Sequence, residues 1–253
     1  MKLVEWNIHK MTKDISVKPF VIDTLAVENA DVMCLIEYLT DTGIKGKFEE
    51  EYWIEESKTI SGNKVLIAVK KDFAPDGITV KNKEEVQECY NFMHIEFKLQ
   101  NGNPLSVIGV RMLSPMNAKK QTPSLKEYIS KLTTPFLCVG DYNIKKSRMG
   151  KWFPSISIGN LKNTNCSLSD SSIIYVDKNS CQVTGFGAVD HVLHSDDIEV
   201  NSEYKWDFLR CDSIYPCVNN ISISTYWNIP PAYPDHALMI SNIEKKEKIF
   251  LSL

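Results

Sequence analysis

Pro135-Phe136-Leu137-Cys138-Val139-Gly140-Asp141-Tyr142-Asn143 reads as a buried strand that ends in a turn, with a carboxylate and a carboxamide held just past the apolar run. A short apolar segment closed by glycine marks a core strand. Polar groups placed at its end would be mounted on a rigid element at the rim of the core, where a catalytic constellation needs to sit. Asp141 and Asn143 are also turn-forming types, through side-chain to backbone hydrogen bonds, so this segment alone leaves both readings open.

Outward from it, the chain is strand-rich. Lys2 to Ile8 reads as a first strand, and Pro19 to Asn29 as a helix with proline in its first turn and Val21, Ile22, Leu25 and Ala26 on one face. Asp31 to Ile36 is a second buried strand that ends at Glu37. Further strands are expected at Lys64 to Lys70, Tyr90 to Leu99, Leu105 to Met112 and Phe136 to Val139, with a helix from about Ser124 to Leu132 between the last two. Beyond residue 150 the pattern is irregular, apart from strands at Ala188 to Leu193, Glu199 to Phe208 and Ala237 to Ile243. Strands outnumber helices and several are apolar along their length. The expected architecture is an α/β (α+β) sandwich, two mostly antiparallel sheets packed face to face with helices outside. At 253 residues, one domain spanning 1–253 is expected.

Composition narrows the function classes. With 43% hydrophobic and 24% charged residues, a sizeable core is available and long disorder is excluded. A net charge of −3 excludes a protein that coats nucleic acid by bulk electrostatics. Met1-Lys2-Leu3-Val4-Glu5-Trp6 lacks the apolar core of a signal peptide, and no run is long enough to span a bilayer. A soluble, cytoplasmic protein, monomeric, is the expectation. The 7 cysteines show no CxxC spacing, which fits reduced thiols and argues against a zinc site.

Charge is unevenly placed. Acids cluster at Glu49, Glu50, Glu51, Glu55 and Glu56 and at Glu84, Glu85 and Glu88. Bases follow the polar motifs instead: Lys10 and Lys13 after Trp6-Asn7, Lys119 and Lys120 after Arg111, and Lys145, Lys146, Arg148 and Lys151 after Asn143. If those loops share a rim, it is locally positive and would attract a polyanion; otherwise these are ordinary surface lysines.

Strand ends carry the remaining signal. Asn7, Glu37, Arg111, Asp141 with Asn143, Asp190, and Asp235 with His236 each stand where an apolar run begins or ends. Burying charge in such runs is costly unless it is paired or binds a metal, so the recurrence points to one shared polar site. Alternation along a strand sends Asp190 and His191 to opposite faces, and only one of them can join it. His94 shares a face with Glu96 and Lys98 and is expected to face solvent; His191 and His194 receive no role.

These residues, in this order, resemble the endonuclease/exonuclease/phosphatase superfamily, which includes exonuclease III-like repair endonucleases, pancreatic-type deoxyribonucleases, inositol polyphosphate 5-phosphatases and neutral sphingomyelinases. The resemblance runs from Asn7 to His236. Its most specific parts are Gly140-Asp141-Tyr142-Asn143 and Pro234-Asp235-His236, which look like the superfamily's GD-x-N and S/P-D-H signatures. It implies a four-layer sandwich and a metal-dependent phosphodiesterase, foremost a DNA or RNA nuclease. The alternatives are a phosphatase or phosphodiesterase acting on an inositol phosphate, a nucleotide or a phospholipid head group, and an inactive relative that only binds. The intact polar set speaks against the last.

Carried onto this chain, the resemblance implies that Glu37, with Asn7 and Asp235, binds Mg2+, with Mn2+ as a substitute. Asp141 would orient or deprotonate the attacking water, and Asn143 would hydrogen-bond a phosphate oxygen or that water. His236 would contact the scissile phosphate while Asp190 accepts from its other ring nitrogen. Arg111 stands where many relatives carry Tyr or His. It does not give up its proton, so it either clamps a phosphate oxygen or pairs with a site carboxylate. His9 touches substrate or lies on the surface, and Lys145 is a phosphate-binding candidate. Tyr226, Trp227 and Tyr233 either stack a base or pack their loop.

Overall fold

β1 (Lys2–Asn7), α1 (Pro19–Glu28) and β2 (Val32–Tyr38) form a strand-helix-strand unit. The strands run parallel, in register from Leu3 opposite Val32 to Asn7 opposite Ile36, an arrangement that requires a crossover such as this helix. Pro19 opens α1 where its missing N–H is not needed. Asn29 closes the helix in the left-handed region, at φ 46°, and its N–H returns to Leu25 O at 3.2 Å. The structure, a computed structural model, describes residues 1–10, 12–60, 62–83, 86, 91–113, 115–161, 170–177, 182–210 and 232–246.

The elements that follow are α2 (Thr42–Phe48), β3 (Tyr52–Glu56), β4 (Lys64–Lys70), β5 (Ile78–Asn82), β6 (Asn91–Lys98), β7 (Pro104–Arg111), α3 (Pro115–Ser130), β8 (Phe136–Asp141) and α4 (Lys146–Trp152). After these come β9 (Ser157–Ile158), β10 (Asn160–Leu161), β11 (Ile173–Asp177), β12 (Gln182–Gly187), β13 (Asp190–His194), β14 (Ile198–Lys205) and β15 (Leu238–Lys245). A seven-stranded sheet has the order β10-β14-β15-β1-β2-β4-β3, and a six-stranded sheet the order β5-β6-β7-β8-β13-β9. β11 and β12 form a separate antiparallel ribbon. Most pairings are antiparallel, as expected; β7 with β8, bridged by α3, and the short β10 with β14 are the other parallel pairs among the described residues.

Alternation then builds the layers. From the six-stranded sheet, Met93, Ile95, Val107, Leu137, Val139 and Val192 join the seven-stranded sheet in one core. The opposite face of the six-stranded sheet, with Phe92, Ile108, Val110, Cys138 and Leu193, is covered by Leu125 and Ile129 of α3, by Met149 of α4 and by Phe153 at its C-terminal cap. Val21 and Leu25 of α1 and Ile44 and Phe48 of α2 pack with the seven-stranded sheet. This is the expected sandwich of two sheets between helices. The sheets approach closely at Gly109, where an added Cβ would lie 2.5 Å from Val65 Cγ1 and 2.8 Å from Cys34 Sγ.

Two expectations change. The helix before β8 begins at Pro115 rather than near Ser124, and Pro123 lies inside it. His94 does not face solvent: it is 2% exposed, because α3 lies over that face and Tyr128 brings its hydroxyl 2.8 Å from His94 Nδ1.

Candidate active site

Register places four polar residues in one row on the six-stranded sheet. Asn91 pairs with Arg111, Arg111 with Asp141, and Asp141 with Asp190. Their side chains share the face that carries Val107, Val139 and Val192 into the core. Opposite them on β1 are Glu5 and Asn7, which project on the same side as their register partners Cys34 and Ile36. The Cys34 thiol lies against Gly109 of the facing sheet, so both β1 side chains enter the gap between the sheets.

Backbone conformation aims the rest. Strict alternation would send Glu37 outward, since its neighbour Ile36 points into the gap. Glu37 instead adopts φ 51°, at the irregularity in the β2 to β4 pairing between Leu35 and Tyr38, and this turns the carboxylate inward. There Glu37 Oε1 meets Arg111 Nη2 in an ion pair that links the two sheets. Asn143 has the same φ, 51°. Its backbone N–H donates to Asp141 Oδ1 at 2.9 Å, and its Nδ2 donates to Met112 O at 2.8 Å and to Asp141 Oδ2 at 3.2 Å. Asn143 is thus a turn former whose product is a fixed Asp141 carboxylate. Gly140 has φ 144°, and a Cβ there would fall 1.9 Å from Val110 O; only glycine fits beneath Asp141.

His236 and Asp190 form the other side. Their Nδ1 and Oδ2 are 2.8 Å apart, and His236 O accepts from Trp6 Nε1 at 3.0 Å. Ser172 Oγ accepts from the N–H groups of Val189 and Asp190 at 2.9 and 3.2 Å, which anchors the start of β13.

The electrostatics are those of crowded carboxylates. Burial pushes the Asp141 carboxyl up to about 7; His236 opposes this, Asp190 reinforces it, and Arg111 and the Asn143 N–H moderate it. Burial would lower the His236 imidazole, but the Asp190 carboxylate, through charge and hydrogen bond, outweighs it and holds the ring well above its ordinary value, helped by Asp141 and Asp235. Glu5 is fully buried, and burial followed by Asp190 raises its carboxyl well above the usual range.

The donors suit a hard cation. Ligand atoms of Asp141, Asp190 and His236 lie within 4.8 Å of one another. Among the described residues, Asp190 Oδ1 and both Glu5 oxygens are buried with no hydrogen-bond partner; burial favours the neutral form of Glu5, and Asp190 Oδ1 is an open acceptor that a divalent ion would satisfy. Carboxylate and amide oxygens match magnesium or manganese, whereas the His236 ring, raised well above its ordinary value by Asp190, is a hydrogen-bond donor rather than a ligand.

No family profile matches the sequence, and no curated protein matches it either. Solved structures do. An endonuclease/exonuclease/phosphatase family protein from Bacteroides thetaiotaomicron superposes with a TM-score of 0.65 at 12% identity, covering 97% of this chain and 98% of that one. The fold is that of the endonuclease/exonuclease/phosphatase proteins. A mannosyl-6-phosphatase of Bacteroides thetaiotaomicron VPI-5482 gives a TM-score of 0.66 at 12% identity, covering 96% and 99% of the two chains. D. rerio TDP2 complexed with single strand DNA product gives 0.63 at 12% identity, covering 97% and 99%.

Within this endonuclease/exonuclease/phosphatase fold, the residues expected from the sequence form three groups. Asp141, Asn143, Asp190 and His236 converge. Glu37 and Arg111 also converge, on each other. Asn7 turns into the gap, where its Oδ1 accepts from the His9 N–H at 3.2 Å; Asp235 is half-buried beside His236. Lys145 is exposed at the start of α4, in a ridge with the equally exposed Lys146, Arg148 and Lys151. His9, at φ 49°, is half-buried, and its carbonyl accepts from Ala232 N at 2.8 Å.

Lys10 leaves the rim entirely. It is 1% exposed, with Nζ 3.6 Å from Asp41 Oδ2 and 3.2 Å from Thr12 O. Asp41 also caps α2 through Gly43 N and Ile44 N, so this pair braces the loop behind Glu37. His191 points away from the site and puts Nε2 2.8 Å from Ile144 O. Tyr233 is buried, packing on Phe20 beneath the Lys18 ammonium; Tyr226, Trp227 and the Glu84, Glu85 and Glu88 group lie outside the described residues. Glu5 and Asn91 escaped the sequence reading. An acid interrupting the apolar Leu3-Val4-Glu5-Trp6 run was the available sign of the first, whereas Asn91 is revealed only by its register with Arg111.

Proposed function

We propose that this protein is a divalent-cation-dependent phosphoesterase that hydrolyses a phosphodiester of nucleic acid by in-line attack of water. The observation that carries this is the Asp141, Asp190 and His236 cluster, buried and mutually within 4.8 Å, with Arg111 beside Asp141 on the same sheet and paired with Glu37 of the facing sheet.

Asp141 is the base. Its carboxyl, pushed up to about 7, is basic enough to take a proton from water near neutral pH, and Asn143 fixes both its oxygens. His236 is held in its protonated form by Asp190 at Nδ1, so its Nε2–H is the donor that meets charge developing on a phosphoryl oxygen. Glu37, Asn7 and Asp235 would hold the cation, which when bound supplies Lewis-acid stabilisation of that same charge. Arg111 contributes a second positive group from β7.

Substrate choice rests on the exposed ridge of Lys145, Lys146, Arg148 and Lys151, which begins directly after Asn143 and suits an extended polyanion. A fold neighbour bound to single strand DNA product points the same way. Another, a mannosyl-6-phosphatase, supports a second reading in which a small phosphoester is the substrate. Incubation of the pure protein with labelled single- and double-stranded DNA and RNA, with Mg2+ or with EDTA, tests the proposal. Cleavage that EDTA abolishes is expected. Metal-dependent release of phosphate from sugar or inositol phosphates, with no nucleic acid cut, would replace it with the second reading.

A further inference from the structure

Glu37 is the expected cation ligand, and in this structure Arg111 holds it. Both side chains are largely enclosed, 8% and 16% exposed, so water does little to screen them. The pair joins β2 in one sheet to β7 in the other, and Glu37 reaches it only through a left-handed backbone, φ 51°. Such a conformation persists where surrounding contacts over-determine it.

A divalent ion and a guanidinium compete for this carboxylate. Both cannot sit in contact with Glu37 Oε1 without placing two like charges side by side in a site that admits little water. Arg111 has somewhere else to go. Its register partner is Asp141, whose carboxyl already feels the guanidinium, and that same space is where a scissile phosphate would stand between Asp141 and His236. Five N–H donors in a planar fork match a phosphate as well as they match a carboxylate.

We propose that Glu37 is a shared carboxylate: Arg111 occupies it before a cation arrives, and cation binding transfers Arg111 to the substrate phosphate. This rests on the phosphoesterase assignment above and adds an order to it. Linkage makes the coupling reciprocal. An oxyanion that engages Arg111 removes the competitor from Glu37 and so tightens cation binding, and a cation tightens oxyanion binding by the same factor.

Calorimetric titration with Mn2+, with and without saturating sulfate as a tetrahedral dianion, reads this out independently of turnover. Arg111→Met is expected to bind Mn2+ about tenfold more tightly than the parent, and sulfate is expected to tighten the parent but not the variant. Far-UV circular dichroism checks that the variant folds, and Arg111→Gln serves as a second neutral replacement.

Glu37→Gln separates competition from simple repulsion. In that background the Arg111→Met gain should vanish, since there is no carboxylate left to contest. A gain that persists in the Glu37→Gln background, or equal Mn2+ affinity in the parent and both Arg111 variants, overturns the shared carboxylate while leaving the phosphoesterase assignment standing. Absence of Mn2+ binding by the parent and by every folded variant would instead remove the cation-dependent assignment and this inference with it.

Discussion

Asp190 and Asp141 are direct partners across β13 and β8, so two buried carboxylates stand side by side at one level of the sheet, with His236 hydrogen-bonded to Asp190 at 2.8 Å. Like charges this close cannot both ionise freely. The imidazolium resolves the conflict for one of them, and the other is left basic. Differentiation of two chemically identical groups by their surroundings gives an acid and a base within one site.

Asp190→Asn removes the charge while keeping the shape. The His236 ring should then titrate at a lower pH, seen by 15N NMR of the imidazole, and metal-dependent hydrolysis should fall by roughly 10²–10⁴. An unmoved His236 titration would refute the coupling.

Glu5→Gln tests the buried acid. A carboxyl whose folded pKa is raised stays protonated in the native state where the unfolded chain ionises it, so it lowers stability progressively as pH rises above its ordinary 4.5. The variant should therefore be more stable than the parent in urea at pH 8 with EDTA present. The difference should shrink as pH falls toward 4.5.

Buried neutral imidazoles predict acid lability. Burial lowers His94 and His191 from 6.5 to about 4. The unfolded state takes up protons first as pH falls through that window, so stability is full above 6.5 and is lost on the way to 4, by on the order of 3 kcal/mol per ring. Urea midpoints measured from pH 7.5 to 4.5 should show this loss, and His94→Gln should flatten part of it.

Gly140→Ala puts a Cβ 1.9 Å from Val110 O. The backbone beneath Asp141 must move, at a cost of at least about 3 kcal/mol. Thermal denaturation should report that loss, and hydrolysis should fall with it, because the displaced residue carries the base.

The sandwich was legible because its strands are apolar runs of ordinary length: Lys64–Lys70 emerged with the bounds expected of it. The two-residue strands β9 and β10 carry no periodic signal and could not be read. The helix expected from about Ser124 begins nine residues earlier, at Pro115, and α3 runs through Pro123, a residue type that ordinarily interrupts a helix. At the site, Asp141, Asp190 and His236 were found one by one as polar interruptions of apolar sequence, and the structure brings them together. The Glu37 and Arg111 pair was one of two readings left open, because it depends on a left-handed residue that no residue type announces. His94 was expected outside because it shares a strand face with Glu96 and Lys98, and Lys10 at the rim because it follows Asn7; each is buried beside a neighbour distant in sequence, Tyr128 and Asp41.

His9 and Asn143, just past the ends of β1 and β8, and Glu37, near the end of β2, share one backbone state, with φ of 49°, 51° and 51°. For anyone randomising this pocket, that state acts as a filter ahead of chemistry. Asparagine, aspartate and glycine enter left-handed geometry cheaply, whereas valine, isoleucine and threonine do not. Libraries weighted toward tolerant residues at these positions would lose less stability per substitution, since an intolerant one costs roughly 1–2 kcal/mol.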